Sequence, residues 1–314
     1  MENLKTSNSS CIAPRSTRSV MLDILIALAP ATVAAIVFFG LKAAVIIAVC
    51  VGSALISEFV FNMLAKKEQT VGDLSAVLTG LLLALNLSTK VTIWQCLVGS
   101  VFAIVIVKCA FGGLGYNVVN PAIAARVMLL IAFTDVAGGA MTSFAELESG
   151  ATPLAILGGA EGTLPSMLDM LIGNRGGAIG ETCAIALVLG GIYLLVRKVI
   201  TWEIPVIYIG GVFLLSLAFG SDVMNAVYHV LGGGLILGAI FMATDPVTSP
   251  KKSIGKIVFA LGCALITVLI RFYGNYPEGA SFSIVIMNVI SPYIEKLTAK
   301  IPLGKKNGKG AVGK

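Results

Sequence analysis

Hydrophobic residues occur along the chain in long blocks separated by short polar stretches. Ten apolar segments can be distinguished, and several approach the ~20 residues that a helix needs to cross a bilayer. They lie at about 20–39, 43–64, 74–87, 92–111, 121–133, 180–196, 204–219, 223–243, 257–270 and 282–294. We therefore expect an all-α polytopic membrane protein with about ten transmembrane helices.

The ten segments form two groups of five that resemble each other. Gly80–Leu85 is similar to Gly234–Ala239, and a turn with glycine and proline follows both the fourth and the ninth segment. An odd number of spans per half makes the second half insert upside down, so the pattern predicts a 5+5 inverted repeat with the functional site near its interface. The predicted units are an N-terminal arm (1–18), repeat 1 (19–134), a connection (135–179), repeat 2 (180–295) and a basic tail (296–314).

The basic residues predict the orientation of these spans. With the N-terminus inside, 17 of the 22 Lys and Arg residues lie on the inner side and four on the outer side, which agrees with the positive-inside rule. The remaining one, Arg126, lies within the fifth segment. We therefore expect a multi-pass protein of the cell membrane with both termini in the cytoplasm and the connection 135–179 facing outward.

The composition supports a membrane protein and argues against other classes. Hydrophobic residues make up 57% of the chain and charged residues only 12%, about half the charge of a soluble domain. The net charge of +6 comes from basic residues beside the membrane segments, as lipid contact requires, so we expect no nucleic-acid partner. The six cysteines have no CxxC spacing, which predicts neither a disulfide framework nor a metal site. We expect no cleaved signal peptide.

Five short motifs occur in order along the region from about residue 20 to residue 294, and together they are far more specific than any one alone. They are Gly115–Ala122, Ser149–Leu154, Gly177–Thr182, Phe241–Val247 and Gly274–Gly279. With these motifs the chain resembles the family that contains the D subunit of the Rnf electron-transport complex. The B subunit of the sodium-pumping NADH:quinone oxidoreductase is a more distant member, and the length of this chain is closer to that of the Rnf protein.

The resemblance gives a chemical meaning to the turn at 149–153, which local physics alone would describe as an ordinary turn. It implies that Thr152 carries covalent FMN through a phosphoester bond, which a dedicated flavin transferase installs from FAD. The family pattern has Asp six residues before this threonine, whereas Glu146 here keeps the charge on a side chain one carbon longer. The remaining residues of the expected attachment site are Ser149, Gly150 and Ala151.

The resemblance also implies a second, non-covalent flavin, riboflavin, held between the halves by the turn that contains Asn117 and Asn120. The alternative for Asn120, which precedes Pro121, is a helix N-cap. Asp245 either contacts a flavin or a cation near the inner face, or ends its helix with its carboxylate in water. Arg126 either offsets the charge of a flavin phosphate or reduced flavin, or satisfies carbonyl groups at a helix end.

Three further polar residues lie within predicted spans. Asp23 and Glu58 are candidates for handling a coupling ion or proton, although a structural ion pair or an interfacial position is the favoured interpretation of each. His229 is the only histidine, so it cannot form a metal site by itself, and a hydrogen-bonded packing role is expected.

The favoured hypothesis is a membrane flavoprotein subunit of a redox-driven ion-translocating complex, inactive by itself. It would relay electrons between FMN on Thr152 and the second flavin during ferredoxin:NAD oxidoreduction coupled to Na⁺ or H⁺ transport. Expected partners are the outward-facing flavin subunit, the membrane iron–sulfur subunits, the flavin transferase and membrane lipid. The alternatives are a small-solute transporter or channel with an inverted repeat, and a membrane scaffold without a cofactor.

Overall fold

The computed structural model describes residues 16–133, 152–173, 175–181, 183–274 and 279–298, and all regular secondary structure in these ranges is helical. We number the α-helices in chain order. They are α1 (Thr17–Leu64), α2 (Ser75–Leu85), α3 (Ile93–Val101), α4 (Pro121–Ala132), α5 (Pro153–Leu157), α6 (Met167–Ile172), α7 (Ala184–Val196), α8 (Glu203–Ala218), α9 (Val223–Leu231), α10 (Leu235–Leu237), α11 (Ser253–Tyr273) and α12 (Ala280–Thr298).

Each of the ten predicted segments contains helix, but two of them correspond to a single helical stretch. Helix α1 is 48 residues long and is interrupted at Gly40, whose φ of 65° only glycine adopts readily. Its two arms therefore correspond to the first and second segments. Helices α5 and α6 lie in the predicted connection 135–179.

The eighth segment differs from the single span that the sequence predicts. Helix α9 ends at Leu231, α10 begins at Leu235, and the axis bends by 60° between them. Gly233 and Gly234 both have positive φ, 66° and 65°. The glycines at 232–234 therefore form a helix break, rather than only the close helix contact that a glycine run suggests.

Two helical stretches contain π-helical turns. Helix α3 continues as a π-helix over Phe102–Cys109, and α10 continues as a π-helix over Gly238–Met242. In each case an amide bonds to the carbonyl five residues earlier, Ala110 to Val105 (2.9 Å) and Ala243 to Gly238 (2.7 Å). Such turns add one residue locally and are frequent at functional sites.

The packing joins the two halves through one continuous apolar core. Helix α1 packs against α2 and α7, α4 packs against α12, and α11 packs against α8 and α12. Glycine permits the closest of these approaches: a Cβ at Gly190 of α7 would lie 2.2 Å from the Ala27 carbonyl oxygen of α1. Many large apolar side chains on the periphery remain exposed, as expected for a lipid-facing surface, among them Leu41, Ile56, Leu214 and Leu265.

Span length supports the membrane assignment without settling the number of crossings. By length and composition, α1 and α11 can cross a bilayer, and the bent pair formed by α9 and Leu235–Met242 would make a third span. Five shorter apolar helices of the described ranges have 10 to 17 residues, and α12, with 19 residues, does not meet the combined length and composition criterion. The count of ten spans and the 5+5 inverted repeat therefore stay predictions.

Candidate functional site

A cavity lies between the two halves, and we call it the inter-half cavity. It comprises about 750 Å³ of space not filled by protein, including the part that opens to the surface. Its wall is mainly apolar, with a few polar groups. The wall includes Ser75, Leu78, Leu82, Lys108, Asn117, Asn120, Phe241 and Asp245.

Asn120 links the two halves at this cavity. Its Oδ1 accepts hydrogen bonds from the amides of Ala122 (3.1 Å) and Ile123 (3.4 Å), so the N-cap interpretation is confirmed. Its Nδ2 donates to Oδ2 of Asp245 at 3.3 Å. One side chain therefore starts α4 and also holds a carboxyl group of the other half.

Asn117 has a different environment, although it is only three residues away. Its Nδ2 donates to the carbonyl oxygen of Val119 at 3.1 Å. Its Oδ1 is buried and has no hydrogen-bond partner among the residues that the structure describes. A buried acceptor without a partner costs free energy, so this atom is suited to a donor from a bound molecule.

Asp245 is part of the cavity wall rather than a carboxylate turned fully to water. Besides Asn120, the backbone amide of Val247 donates to its Oδ1 at 3.0 Å. Burial raises the pKa of the Asp245 carboxyl, while the donors from Val247, Thr248 and Asn120 oppose that shift. The interpretation of Asp245 as a solvated helix terminator is thus wrong in part: the residue follows a helix end, but its carboxyl contacts both halves.

Lys108 brings an ion pair to the same cavity. Its Nζ lies 2.8 Å from Oε1 of Glu58, and the two side chains are 2% and 1% exposed. The ion-pair interpretation of Glu58 is confirmed. The sequence did not identify the partner, because Lys108 had counted only as one more inner basic residue.

Arg126 lies between the halves in a polar layer that it forms with Asn86 and Glu181. It does not line the cavity. Its Nη1 donates to Oδ1 of Asn86, and Nδ2 of Asn86 donates to the Leu82 carbonyl oxygen at 2.7 Å. The guanidinium also lies against the helix break, since a Cβ at Gly234 would approach Nη1 to 3.5 Å and Oε2 of Glu181 to 3.0 Å. Arg126 therefore contacts an amide side chain at the end of α2.

The helix break is held by two other arginines. Nη2 of Arg175 donates to the carbonyl oxygens of Leu231 (2.6 Å) and Glu181 (2.8 Å). Arg271 donates through Nη1 to the carbonyl oxygen of His229 and through Nη2 to that of Gly232 (3.2 Å). These contacts satisfy carbonyl groups that the break would otherwise leave without partners.

Thr152 lies on the predicted outer side, at the start of α5. It is half-buried, and its Oγ1 accepts a hydrogen bond from the amide of Ala155 at 3.2 Å, which caps the helix. Leu154 is buried against the helix break, because a Cβ at Gly232 would lie 3.0 Å from its Cγ. The predicted attachment residue is therefore anchored to the break through its neighbour.

Several expectations have a clear structural outcome. Glu146, Ser149, Gly150 and Ala151 lie outside the described residues. Asp23 forms an ion pair with Arg197, with Oδ1 and Nη2 3.1 Å apart, as expected. His229 stacks on Phe272 with ring centroids 5.3 Å apart, which agrees with a packing role, but its buried Nδ1 has no hydrogen-bond partner among the described residues, so the expected hydrogen bond is not observed at this atom.

The structure brings Asn117, Asn120 and Asp245 together in the inter-half cavity and places Thr152 at the helix break. Arg126 lies in the polar layer against that break. Sequence reasoning missed Lys108, Arg175, Asn86 and Glu181. Arg175 lies in the one long connection, and this position was the available signal. The structure shows it buried, which is unusual for an arginine.

Comparison with known proteins gives a consistent result. Residues 5–304 match the model of the NQR2, RnfD, RnfE family. The chain is 48% identical over 305 residues to the D subunit of the Na⁺-translocating ferredoxin:NAD⁺ oxidoreductase complex of Acetobacterium woodii, covering 94% of each chain. It is 39% identical to the D subunit of the proton-translocating ferredoxin:NAD⁺ oxidoreductase complex of Clostridium ljungdahlii, covering 93% of each. It is 31% identical to the D subunit of the ion-translocating oxidoreductase complex of Escherichia coli, covering 94% of this chain and 96% of that one.

Proposed function

The chain belongs to the NQR2, RnfD, RnfE family, and from this membership we propose that it acts as the D subunit of an ion-translocating ferredoxin:NAD⁺ oxidoreductase complex. Within that complex it relays electrons between FMN on Thr152 and a second flavin, riboflavin, in the inter-half cavity. Its partners are the other subunits, in particular the outward-facing flavin subunit and the membrane iron–sulfur subunits. Close relatives are named for Na⁺ in one case and for protons in another, so the family alone does not fix the coupling ion.

The observation that carries the proposal is the inter-half cavity. Its wall combines apolar surface with a few polar groups, as the walls of small-molecule sites do. Leu78, Leu82 and Phe241 provide apolar contacts for a planar ring system. The unpartnered Oδ1 of Asn117 offers an acceptor to a ring N–H group. An isoalloxazine bound here would pass one or two electrons.

Thr152 suits covalent attachment. Its hydroxyl is at the start of a short helix and is only half-buried, so a transferase outside the membrane can reach it. In the attachment step the Thr152 oxygen forms a bond to the FMN phosphorus of FAD, the pyrophosphate bond breaks, and AMP leaves while the hydroxyl proton is released. The anchoring of Leu154 against Gly232 then keeps the modified residue beside the break.

The proposal includes the ten-span inverted repeat in the cell membrane, with both termini inside and Thr152 outside. The cavity wall supports this arrangement. It is formed by the start of the first, third and fifth segments and by the end of the fourth, sixth and eighth, all of which the charge count assigns to the inner side. Arg126 and its neighbours then separate this inner cavity from the outer break.

Fluorescence of covalently attached flavin on a denaturing gel tests the proposal. The full chain, expressed together with the flavin transferase, should give a fluorescent band that Thr152→Ala abolishes and Thr163→Ala in the same connection does not. Riboflavin should be released from the wild-type protein on denaturation. The amount released from Asn117→Leu should be smaller. A band without fluorescence, or fluorescence that survives Thr152→Ala, would contradict the attachment.

A solute transporter is the second candidate, because the broken eighth segment resembles the discontinuous helices of transporters with inverted repeats. A transporter has no use for flavin on Thr152. Uptake of solute into vesicles by protein free of flavin would favour this candidate.

A further inference from the structure

We infer that Thr70, Glu58 and Lys108 form a proton-conducting chain that connects water at the predicted inner surface to the inter-half cavity, with Ser75 holding the Lys108 ammonium at the cavity wall. The inference rests on the proposed function, since it assigns the chain to the redox ligand of that cavity. Its role is to supply or remove the proton that balances the charge of an added or withdrawn electron.

Lys108 is the member that faces both the ion pair and the cavity. Its Nζ is 2.8 Å from Oε1 of Glu58 and 2.5 Å from Oγ of Ser75. Both Lys108 and Ser75 line the cavity wall. A single ammonium group therefore contacts a buried carboxylate on one side and the cavity on the other.

The opposite end of the chain reaches water. Thr70 is exposed, and its hydroxyl donates to Oε1 of Glu58 at 2.5 Å. The amide of Asn62 donates to Oγ1 of Thr70 at 3.0 Å and fixes the hydroxyl in that position. Every step from the exposed hydroxyl to the cavity wall is thus a direct hydrogen bond.

A purely structural ion pair would not need this arrangement. Burying two charges costs desolvation free energy. Replacing a buried ion pair by apolar residues of similar volume is often neutral or stabilising. Oε2 of Glu58 is buried and has no hydrogen-bond partner in the part of the chain that the structure describes. A second carboxylate oxygen left without a donor can accept a proton without breaking an existing bond.

A second ion pair, formed by Asp23 in the first arm of α1, provides the contrast. Asp23 pairs with Arg197, whose side chain is 46% exposed, and the Tyr193 hydroxyl donates to the same carboxylate oxygen at 3.2 Å. Neither charged residue lines the inter-half cavity. That pair joins α1 to α7.

The charged and titratable groups around the chain come from several elements. Asp73 accepts hydrogen bonds from the backbone amide (2.7 Å) and hydroxyl (2.5 Å) of Ser75. Cys109 is the residue after Lys108, and its thiol interacts electrostatically with Lys67. Asp245 faces the same cavity from the second half.

The transfer involves only protons. The N–H bond of the Lys108 ammonium breaks and its proton enters the cavity. The Glu58 carboxylate then takes a proton from the Thr70 hydroxyl, which takes one from water, and passes it to the Lys108 amine, so that the ion pair is restored. One proton moves from water at the inner surface to the cavity and no electron is exchanged within the chain, because the electron comes from the oxidoreduction of the complex.

Infrared difference spectroscopy of the intact complex tests the chain without any redox step. During exchange of pH and of H₂O for D₂O, a carboxyl band should respond, exchange its proton rapidly and disappear in Glu58→Gln. A second measurement is the rate of proton uptake when the cavity flavin is reduced, followed with a pH indicator. This rate should fall in the charge-neutral double variant Glu58→Gln/Lys108→Met and persist in the matched pair Asp23→Asn/Arg197→Met.

Each outcome decides the inference. No Glu58-dependent band, or a rate of proton uptake that the double variant leaves unchanged, would overturn the proton chain while a bound flavin still supports the proposed function. If the complex contains no cavity flavin, the proposed function fails, and the infrared response of Glu58 alone decides whether the chain conducts protons. The double variant removes both charges together, so it avoids an unpaired buried charge that would prevent folding.

Discussion

The helix break and the inter-half cavity are both polar regions within an apolar protein, but their hydrogen bonding differs. At the break, Arg175 and Arg271 donate to the carbonyl oxygens of Leu231, His229 and Gly232, although the buried Nδ1 of His229 has no hydrogen-bond partner within the described ranges. In and beside the cavity, Oδ1 of Asn117 and Oε2 of Glu58 have none either. Hydrogen-bonded groups hold a structure together, whereas buried groups without partners are expected where a ligand or proton binds. The comparison therefore assigns a structural role to the two arginines of the break and a binding role to the cavity.

The largest effect should come from removing an arginine at the break. Arg175→Met leaves two carbonyl oxygens without their donor, and each unsatisfied buried group costs about 1–3 kcal/mol. We expect a loss of roughly 3 kcal/mol or more, seen as a large fall in thermal unfolding temperature in detergent. Arg18→Met at the exposed start of α1 is the control and should change stability by less than about 0.5 kcal/mol. Equal effects of both variants would remove the distinction.

The glycines of the break provide the second test. Gly234 has a φ of 65°, and a Cβ there would lie 3.0 Å from Oε2 of Glu181, so Gly234→Ala should cost about 1–3 kcal/mol. Gly210→Ala is the matched control, since it lies inside α8 with no atom within 4 Å of the added Cβ. It should stabilise the protein by up to about 1 kcal/mol. Thermal unfolding of both variants measures the contrast, and a neutral Gly234→Ala would contradict it.

The two asparagines separate structure from binding within the cavity itself. Asn120→Ala removes the N-cap of α4 and should lower stability by about 1 kcal/mol. Asn117→Leu removes an acceptor without a partner, so stability should change less while release of bound flavin on denaturation falls. The measurements are thermal unfolding and the flavin content of the same preparations. Loss of stability in both variants with unchanged flavin content would assign Asn117 a structural role.

The smallest effect concerns pH. Because the pKa of Asp245 is raised, the unfolded chain loses this proton first as pH rises above about 4, while the folded protein retains it. The contribution of Asp245 to stability is therefore complete below that pH and declines until the raised pKa is passed. Asp245→Asn should flatten this part of the stability curve, measured by thermal unfolding between acidic and neutral pH. A curve unchanged by the substitution would contradict the shift.

Sequence reasoning succeeded where a pattern repeats and failed where one contact decides. The ten apolar segments all contain helix, and Asn120 before Pro121 correctly indicated the N-cap of α4. The break at Gly232–Gly234 was missed, because a glycine run fits close packing and a bend equally well. Lys108 was missed as the partner of Glu58, since the two residues are 50 positions apart and lie on different helices. Distant pairs of this kind carry no signal in periodicity or charge counting.

The π-helical turn over Phe102–Cys109 makes the position of Lys108 sensitive to chain length rather than to composition. Inserting one residue into the regular helix α3, before this turn, would rotate every later side chain of the segment by about 100°. The ammonium group would then leave both Glu58 and the cavity, although every original residue would still be present. In this region such an insertion is a more severe change than most substitutions.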